Sequence, residues 1–323
     1  MMPEREVTFD GAILEALREE MRRDSSVFLM GECIGVGYDR SPLLEEFGSQ
    51  RVRDTPISET AIIASSLGAA VTGMRPVAHI MFTDFLCCCM DEIVNQVAKI
   101  RYMFGGKAHP HLVIRVTSTG GGRSSAAQHS QSLESWFIHV PGLRVAYPST
   151  PFDAKGLMKA AIRSDDPVIF FEHHKLGRVK GIVPEEDYTV PFGVAEVKRK
   201  GKDVTLFAYG YLLHIALSAA ENLRREGVEV EVVDPRTLSP LDTKAVLESV
   251  RKTGHLVTVE EGTKTGGVGA EIAALVADEA FEFLDAPVKR VAALDTPIPM
   301  SPPLERFVLP DESKIIAAVK AIV

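Results

Sequence analysis

Apolar residues fall in short blocks separated by polar, Gly-containing stretches, and the blocks alternate between two periodicities. Val27-Phe-Leu-Met30, Pro76-Val-Ala-His-Ile-Met81, Leu112-Val-Ile-Arg-Val116, Leu143-Arg-Val-Ala146 and Val168-Ile-Phe-Phe171 have the length of buried strands. Helical patterns lie between them. Residues 5–23 carry Phe9, Ile13, Leu14 and Leu17 on one face, and a helix is expected from Glu59 to Gly73. A further helix from Leu86 to Phe104 shares Ile93, Val97, Ile100 and Met103, with Gly105-Gly106 as its stop. Another begins at Ala126–Gln131 and runs through Leu133, Trp136 and Phe137, and residues 149–164 form a crossover. A polar loop is expected from about residue 33 to Asp54, short between Gly35 and Glu45.

Charge density rises from Pro184 to Lys202, and the alternation then restarts with strands at 204–208, 228–233, 256–260 and 288–292 and helices at 212–225, 246–252, 269–283 and 313–323. Strands alternating with helices predict parallel sheets covered on both faces. The expected architecture is two α/β three-layer domains, residues 1–185 and 200–323, joined by a linker at about 186–199.

The stretch Asp54-Thr-Pro-Ile-Ser-Glu59 leading into 61–73 is the most informative. Pro56 biases Thr55 towards extended backbone, Ser58 is a good N-cap, and Glu59 falls in the first turn of an almost uncharged helix. Ala61, Ala64, Ser65, Gly68, Ala69 and Thr72 recur at helical spacing, so another backbone is expected to approach closely, within a domain core or at a subunit interface. A carboxylate at a helix start is either a partly solvated residue favoured by the helix dipole or a desolvated acid that shares a proton with a ligand nitrogen. The segment alone leaves both open.

Composition narrows the class. At 323 residues with 46% hydrophobic and 25% charged residues, the chain has the make-up of a globular protein of two domains. No apolar run reaches membrane-spanning length and residues 1–6 are charged, so a soluble, cytoplasmic protein is expected, with no membrane partner. A formal charge of −8 argues against nucleic acid. Cys87, Cys88 and Cys89 are consecutive and Cys33 is distant, which suits reduced, buried thiols better than zinc or disulfides. The Gly-rich run 120–122 after a strand lacks a P-loop pattern and is expected to be a flexible surface loop.

Open α/β sheets present ligand groups at the C-terminal ends of their strands. Those ends carry Glu32, Glu59, Phe82 to Phe85 and the loop before His129. Taken singly, Phe85 reads as core and His129 as a helix-start residue; their joint placement suggests a shared crevice. Asp54-Thr-Pro-Ile-Ser-Glu59, Gly73-Met-Arg-Pro76, Ile93 to Met103, Gln128-His-Ser-Gln131, Pro141-Gly-Leu143, Pro148-Ser-Thr-Pro151, Asp153-Ala-Lys-Gly156, Arg236-Thr-Leu-Ser-Pro-Leu241 and Gly266 to Ile272 resemble the β subunit of thiamine-diphosphate-dependent 2-oxo acid dehydrogenases. That family includes the pyruvate, branched-chain and acetoin enzymes, and the likeness runs through essentially the whole chain in order.

The resemblance implies a transketolase-like pyrimidine-binding domain followed by a transketolase C-terminal domain. It implies oxidative decarboxylation of a 2-oxo acid with acyl transfer to lipoamide. Acetoin cleavage, or a non-catalytic subunit of the same fold, are the alternatives. By resemblance Glu59 bonds N1′ of the aminopyrimidine, Phe85 stacks on that ring, Ile57 and Met81 line it, and Glu32 lies nearby. His129 orients substrate and passes a proton, or assists acyl transfer. A structural potassium ion is implied on backbone oxygens of Leu112, Ala161, Ile162, Ser164 and Asp166.

The Gly-Asp-Gly motif by which thiamine enzymes hold the diphosphate and Mg²⁺ is absent from the chain. A separate α subunit is therefore expected to supply that half of the site and hold most of the Mg²⁺, in a heterotetramer of two α and two β chains. A lipoyl-bearing acyltransferase core is the further implied partner. The family pattern is departed from at Cys33, Ser164 and Leu176-Gly177, and the stretches 85–91 and 103–107 lean towards acetoin-type members.

Overall fold

Buried β-branched and aromatic runs become strands wherever the sequence expects them. A computed structural model of the chain describes residues 5–34 and 41–323; residues 1–4 and the stretch 35–40 of the expected polar loop lie outside the described residues. Two units are present, residues 1–119 with 136–192, and residues 120–135 with 193–323.

The first unit opens with β1 (Glu6–Thr8) and α1 (Phe9–Arg23), where Thr8 caps the helix by accepting from the Gly11 N–H at 3.1 Å. The expected helix over 5–23 thus has a strand in place of its first turn, and β1 pairs antiparallel with β8 (Lys180–Ile182). Then come β2 (Val27–Gly31), α2 (Ser41–Phe47), β3 (Val52–Asp54), α3 (Glu59–Val71), β4 (Arg75–Ile80), α4 (Ile100–Met103), β5 (Val113–Thr119), α5 (Glu134–Ile138, of which 136–138 fall in this unit), β6 (Arg144–Ala146), α6 (Pro151–Arg163) and β7 (Val168–His173). The polar loop before Asp54 accordingly holds a helix and a strand. In order β6-β7-β5-β4-β2-β3 the strands lie side by side and all run parallel. Apart from Arg53 and Asp54 on the edge strand β3, their side chains are mostly buried, as the apolar runs require of a sheet covered on both faces.

Three expectations are corrected here. The helix over 86–104 is instead a 3₁₀ turn (Thr83–Cys89), a π-helical turn (Glu92–Val97) and the short α4. The wide turn lets the Ala98 N–H reach the Ile93 carbonyl at 3.0 Å, five residues back, and shifts the register of the apolar face. Ser58 precedes α3 but makes no side-chain cap. Of the cysteines only Cys89 is buried, while Cys33, Cys87 and Cys88 are exposed.

The small-residue face of α3 stands in solvent rather than in the core of its unit. Thr60, Ala61, Ala64, Ser65 and Gly68 are exposed, whereas Ile62, Ile63, Ser66, Leu67 and Ala70 face inward.

The second unit holds β9 (Glu196–Arg199), β10 (Val204–Ala208), α7 (Tyr211–Arg225), β11 (Val230–Asp234), β12 (Thr237–Ser239), α8 (Thr243–Thr253), β13 (Leu256–Thr263), α9 (Val268–Glu279), β14 (Lys289–Ala293), α10 (Pro302–Val308) and α11 (Glu312–Lys320). Its sheet runs β14-β13-β10-β11-β9, parallel except that β9 pairs antiparallel with β11. The wholly parallel sheet expected for this half is therefore mixed at one edge. Leu206, Leu213, Ala216, Val232, Val257 and Ile315 form its apolar centre.

Candidate active site

Parallel strands end on one edge of a sheet, so β3, β2 and β4 deliver their following residues side by side. Glu32 follows β2, Glu59 is the first residue of α3 after β3, and Met81 and Phe82 follow β4. Phe85 sits on the 3₁₀ turn just beyond. The expected Glu32, Glu59, Met81 and Phe85 thus share one edge of the first unit. Thr60 ties α3 to the 3₁₀ turn by donating from Oγ1 to the Cys88 carbonyl at 2.7 Å. The Phe82 and Phe85 rings pack edge to face, 5.2 Å apart at 62°. His79, buried in β4, bonds through Nε2 to Thr117 Oγ1 at 2.8 Å and steadies the β4–β5 end. Ile57 is 78% exposed and projects ahead of α3.

Glu32 is buried and Glu59 half-buried. Burial, and then the negative charge of Glu59, push the Glu32 carboxyl above its ordinary range. The negative charge of its neighbour thus disfavours a second charge at Glu32. Aromatic faces and a proton-holding acid on one edge suit a flat nitrogen heterocycle.

His129 belongs to the second unit. Its surroundings differ from the expected helix start, because the only helix of this segment begins at Glu134. The preceding Gly-rich run also differs from a free surface loop. Its amides are taken: Gly121 donates to Glu261 Oε1 at 2.5 Å, and Gly122 and Ser124 donate to the Glu305 carboxylate at 2.7 and 3.0 Å. A loop whose N–H groups already face two carboxylates offers no cradle for phosphate. Sequence reasoning passed over Glu261 and Glu305, since nothing in local spacing links residue 305 to residue 122. The one available signal is an acid in a helix that starts with Pro302-Pro303.

The carbonyls named for a cation lie in the first unit. Those of Ile162 and Ser164 converge on Nη1 of Arg75, at 2.8 and 3.1 Å. The Leu112 carbonyl accepts from Val168 N at 2.9 Å and that of Ala161 from Ser164 N at 3.2 Å. The Asp166 carboxylate is clamped by Arg101 and by Arg144, the latter at 2.6 Å. Two clefts, of about 540 and 490 Å³, open around Arg101 and Asp166. Neither is lined by Glu32, Glu59 or Phe85, so the strand-end groups lie outside both clefts.

Among the described residues no helix is long and apolar enough to cross a membrane. Residues 5–180 match the family described as transketolase, pyrimidine binding domain, and residues 193–315 that described as transketolase, C-terminal domain. The chain is 46% identical to the acetoin:2,6-dichlorophenolindophenol oxidoreductase subunit beta of Bacillus subtilis, over 97% of this chain and 96% of that one. It is 44% identical to the 2-oxoisovalerate dehydrogenase subunit beta of the same organism, over 98% of each. It is also 44% identical to the pyruvate dehydrogenase E1 component subunit beta of Rhizobium meliloti, over 98% of this chain and 70% of that one. A solved split gene transketolase, an inactive β4 tetramer, shares the fold with a TM-score of 0.80 at 24% identity, over 98% of both chains. The chain belongs to the family of E1 β subunits of thiamine-diphosphate-dependent 2-oxo acid and acetoin dehydrogenases, built on the transketolase fold.

Proposed function

We propose that this chain supplies the ring-activating half of a thiamine diphosphate site in a decarboxylating 2-oxo acid dehydrogenase, and works only with an α subunit. The observation that carries this is the Glu32–Glu59 pair beside Phe85 on one strand-end edge. Thiamine diphosphate, when bound, supplies the electron sink for cleavage next to the substrate carbonyl. Glu59 holds a proton at its carboxyl for the pyrimidine N1′. Glu32 keeps the surroundings poor in water, Phe85 stacks on the pyrimidine, and Met81 and Ile57 border it. His129 orients the substrate and moves a proton at it, or assists acyl transfer to a lipoyl arm on an acyltransferase core.

The α subunit, in an assembly of two α and two β chains, would hold the diphosphate and Mg²⁺. Support for a partner comes from apolar surface left open on the first unit. Ile57, Tyr102, Met103 and Phe104 are exposed at 78, 90, 71 and 61%, together with the small-residue face of α3. A potassium ion is the finer part of the proposal. The carbonyls of Ile162 and Ser164, which already turn to one cationic nitrogen, are donors of the kind it takes. We also place the domain boundaries at 1–185 and 200–323, and the protein in the cytoplasm.

Acetoin cleavage is the second reading, favoured by relatives of that name at 46 and 47% identity. Reconstitution with the cognate α subunit, thiamine diphosphate and Mg²⁺ tests both, with pyruvate, branched 2-oxo acids and acetoin assayed against an artificial electron acceptor. Turnover is expected from the pair and none from this chain alone. Turnover by the isolated chain, or full activity in a Glu59→Gln pair, overturns the proposal.

A further inference from the structure

The loop that leads to His129 is bent into backbone that its residues do not favour. Within seven residues, Gly120, Gly122, Ser124 and Ala126 have φ of 86°, 90°, 57° and 61°. Glycine takes such angles freely, but serine and alanine place Cβ against the backbone there. Strained residues of this kind persist only where their surroundings over-determine them, and they cluster at functional sites.

The surroundings here are carboxylates of the second unit. Glu305, on α10 and 3% exposed, accepts from Gly122 N through Oε1 at 2.7 Å. The Ser124 N–H donates to both of its oxygens, at 3.3 and 3.0 Å. Glu261, at the end of β13, accepts from Gly121 N. The same loop rests on the segment around α10: a Cβ on Gly121 would stand 3.1 Å from Leu309 Cδ1 and 3.6 Å from Ile298 Cγ2. Across the bend, Gly120 N donates to the Gln131 carbonyl at 3.0 Å, and Arg123 Nη2 to the His129 carbonyl at 3.1 Å. The ends of the loop are thus tied to each other, and its strained middle is tied to Glu305.

We propose that Glu305 is a positioning residue for His129: its buried carboxylate holds the bend at Gly122 and Ser124, and so sets where the following turn presents the imidazole. Charge-assisted bonds to a carboxylate are stronger than bonds between neutral groups, which is what strained serine backbone requires of its partner. The inference rests on the proposal that His129 acts on the substrate.

The test uses the protein reconstituted with its α subunit, thiamine diphosphate and Mg²⁺, comparing wild type with Glu305→Ala, Glu305→Gln, His129→Ala and the Glu305→Ala/His129→Ala double variant. Hydrogen exchange over residues 120–126 is expected to quicken about tenfold or more in Glu305→Ala, with β10 and β13 unchanged. Turnover is expected to fall about tenfold or more, with cofactor affinity kept, because an ångström of misplacement costs up to about a hundredfold. Glu305→Gln keeps the side chain's size and one acceptor, should fall between, and serves if the alanine variant does not assemble. The double variant should lose less than the product of the two single losses. Unchanged exchange, unchanged turnover or fully multiplicative losses overturn the positioning role while leaving His129 in place. A neutral His129→Ala overturns the role of His129 itself, and the inference with it.

Discussion

Glu32 and Glu59 come from the ends of neighbouring parallel strands, and the charge of Glu59 adds to burial in holding the Glu32 carboxyl above its ordinary range. Removing either acid tests the pair. Glu59→Gln should cut turnover of the reconstituted protein by about a hundredfold or more, the scale of a lost acid–base group. In the same variant the Glu32 carboxyl should titrate lower than in wild type, as read by carbon NMR of labelled carboxyls. An unmoved Glu32 would separate the two residues electrostatically.

Glu260 gives a pH dependence of stability in the second unit. Its Oε1 accepts from the Gly269 N–H at 2.8 Å near the start of α9, and the Val268 N–H also lowers its pKa. Burial outweighs these bonds, with Glu134 adding to the rise and Arg290 opposing it, so the carboxyl is pushed up to about 7. The folded chain therefore keeps this proton at pH values where the unfolded chain has lost it. Stability from Glu260 is fully present below about pH 4.5 and is lost as pH rises to about 7, by up to about 3 kcal/mol. Glu134, buried and pushed up in the same direction, slopes the same way. Urea unfolding at pH 5, 6, 7 and 8 should show the fall in wild type and a shallower one in Glu260→Gln.

Arg115 on β5 and Glu172 on β7 form a buried two-pronged ion pair, Nε to Oε1 at 2.5 Å and Nη2 to Oε2 at 2.8 Å. Truncating one partner strands the other charge in the sheet, at a cost of about 3–5 kcal/mol. Glu172→Leu alone should show that loss in urea, and Arg115→Met with Glu172→Leu should recover much of it. Equal losses in the single and double variants would mean that the pair contributes beyond its own charges.

Gly142 turns at φ 100°, and a Cβ there would lie 2.0 Å from the Ala98 carbonyl oxygen. Ala98 follows the π-helical turn, so the close approach holds that turn in place. Gly142→Ala combines backbone strain with overlap on main chain that cannot rotate away, and should cost about 2–5 kcal/mol. Thermal unfolding of the purified chain measures it; an unchanged midpoint would mean that the 98–142 contact is loose.

Hydrophobic pattern alone determined the alternation of strands and helices, because a parallel strand buried on both faces has to be a continuous apolar run. The Pro56 and Gly73 boundaries placed Glu59 at a helix start, since both residues restrict or free the backbone locally. Tertiary structure decided what depends on neighbours distant in sequence. The π-helical turn at Glu92–Val97 and the antiparallel edge strand β9 are of this kind. So is the exposure of Ala61, Ala64 and Gly68, where a stripe of small residues marks close packing without saying what packs. The clamp of Glu305 on Gly122 and Ser124 joins residues about 180 positions apart through main-chain N–H groups, which carry no residue identity for a sequence to display.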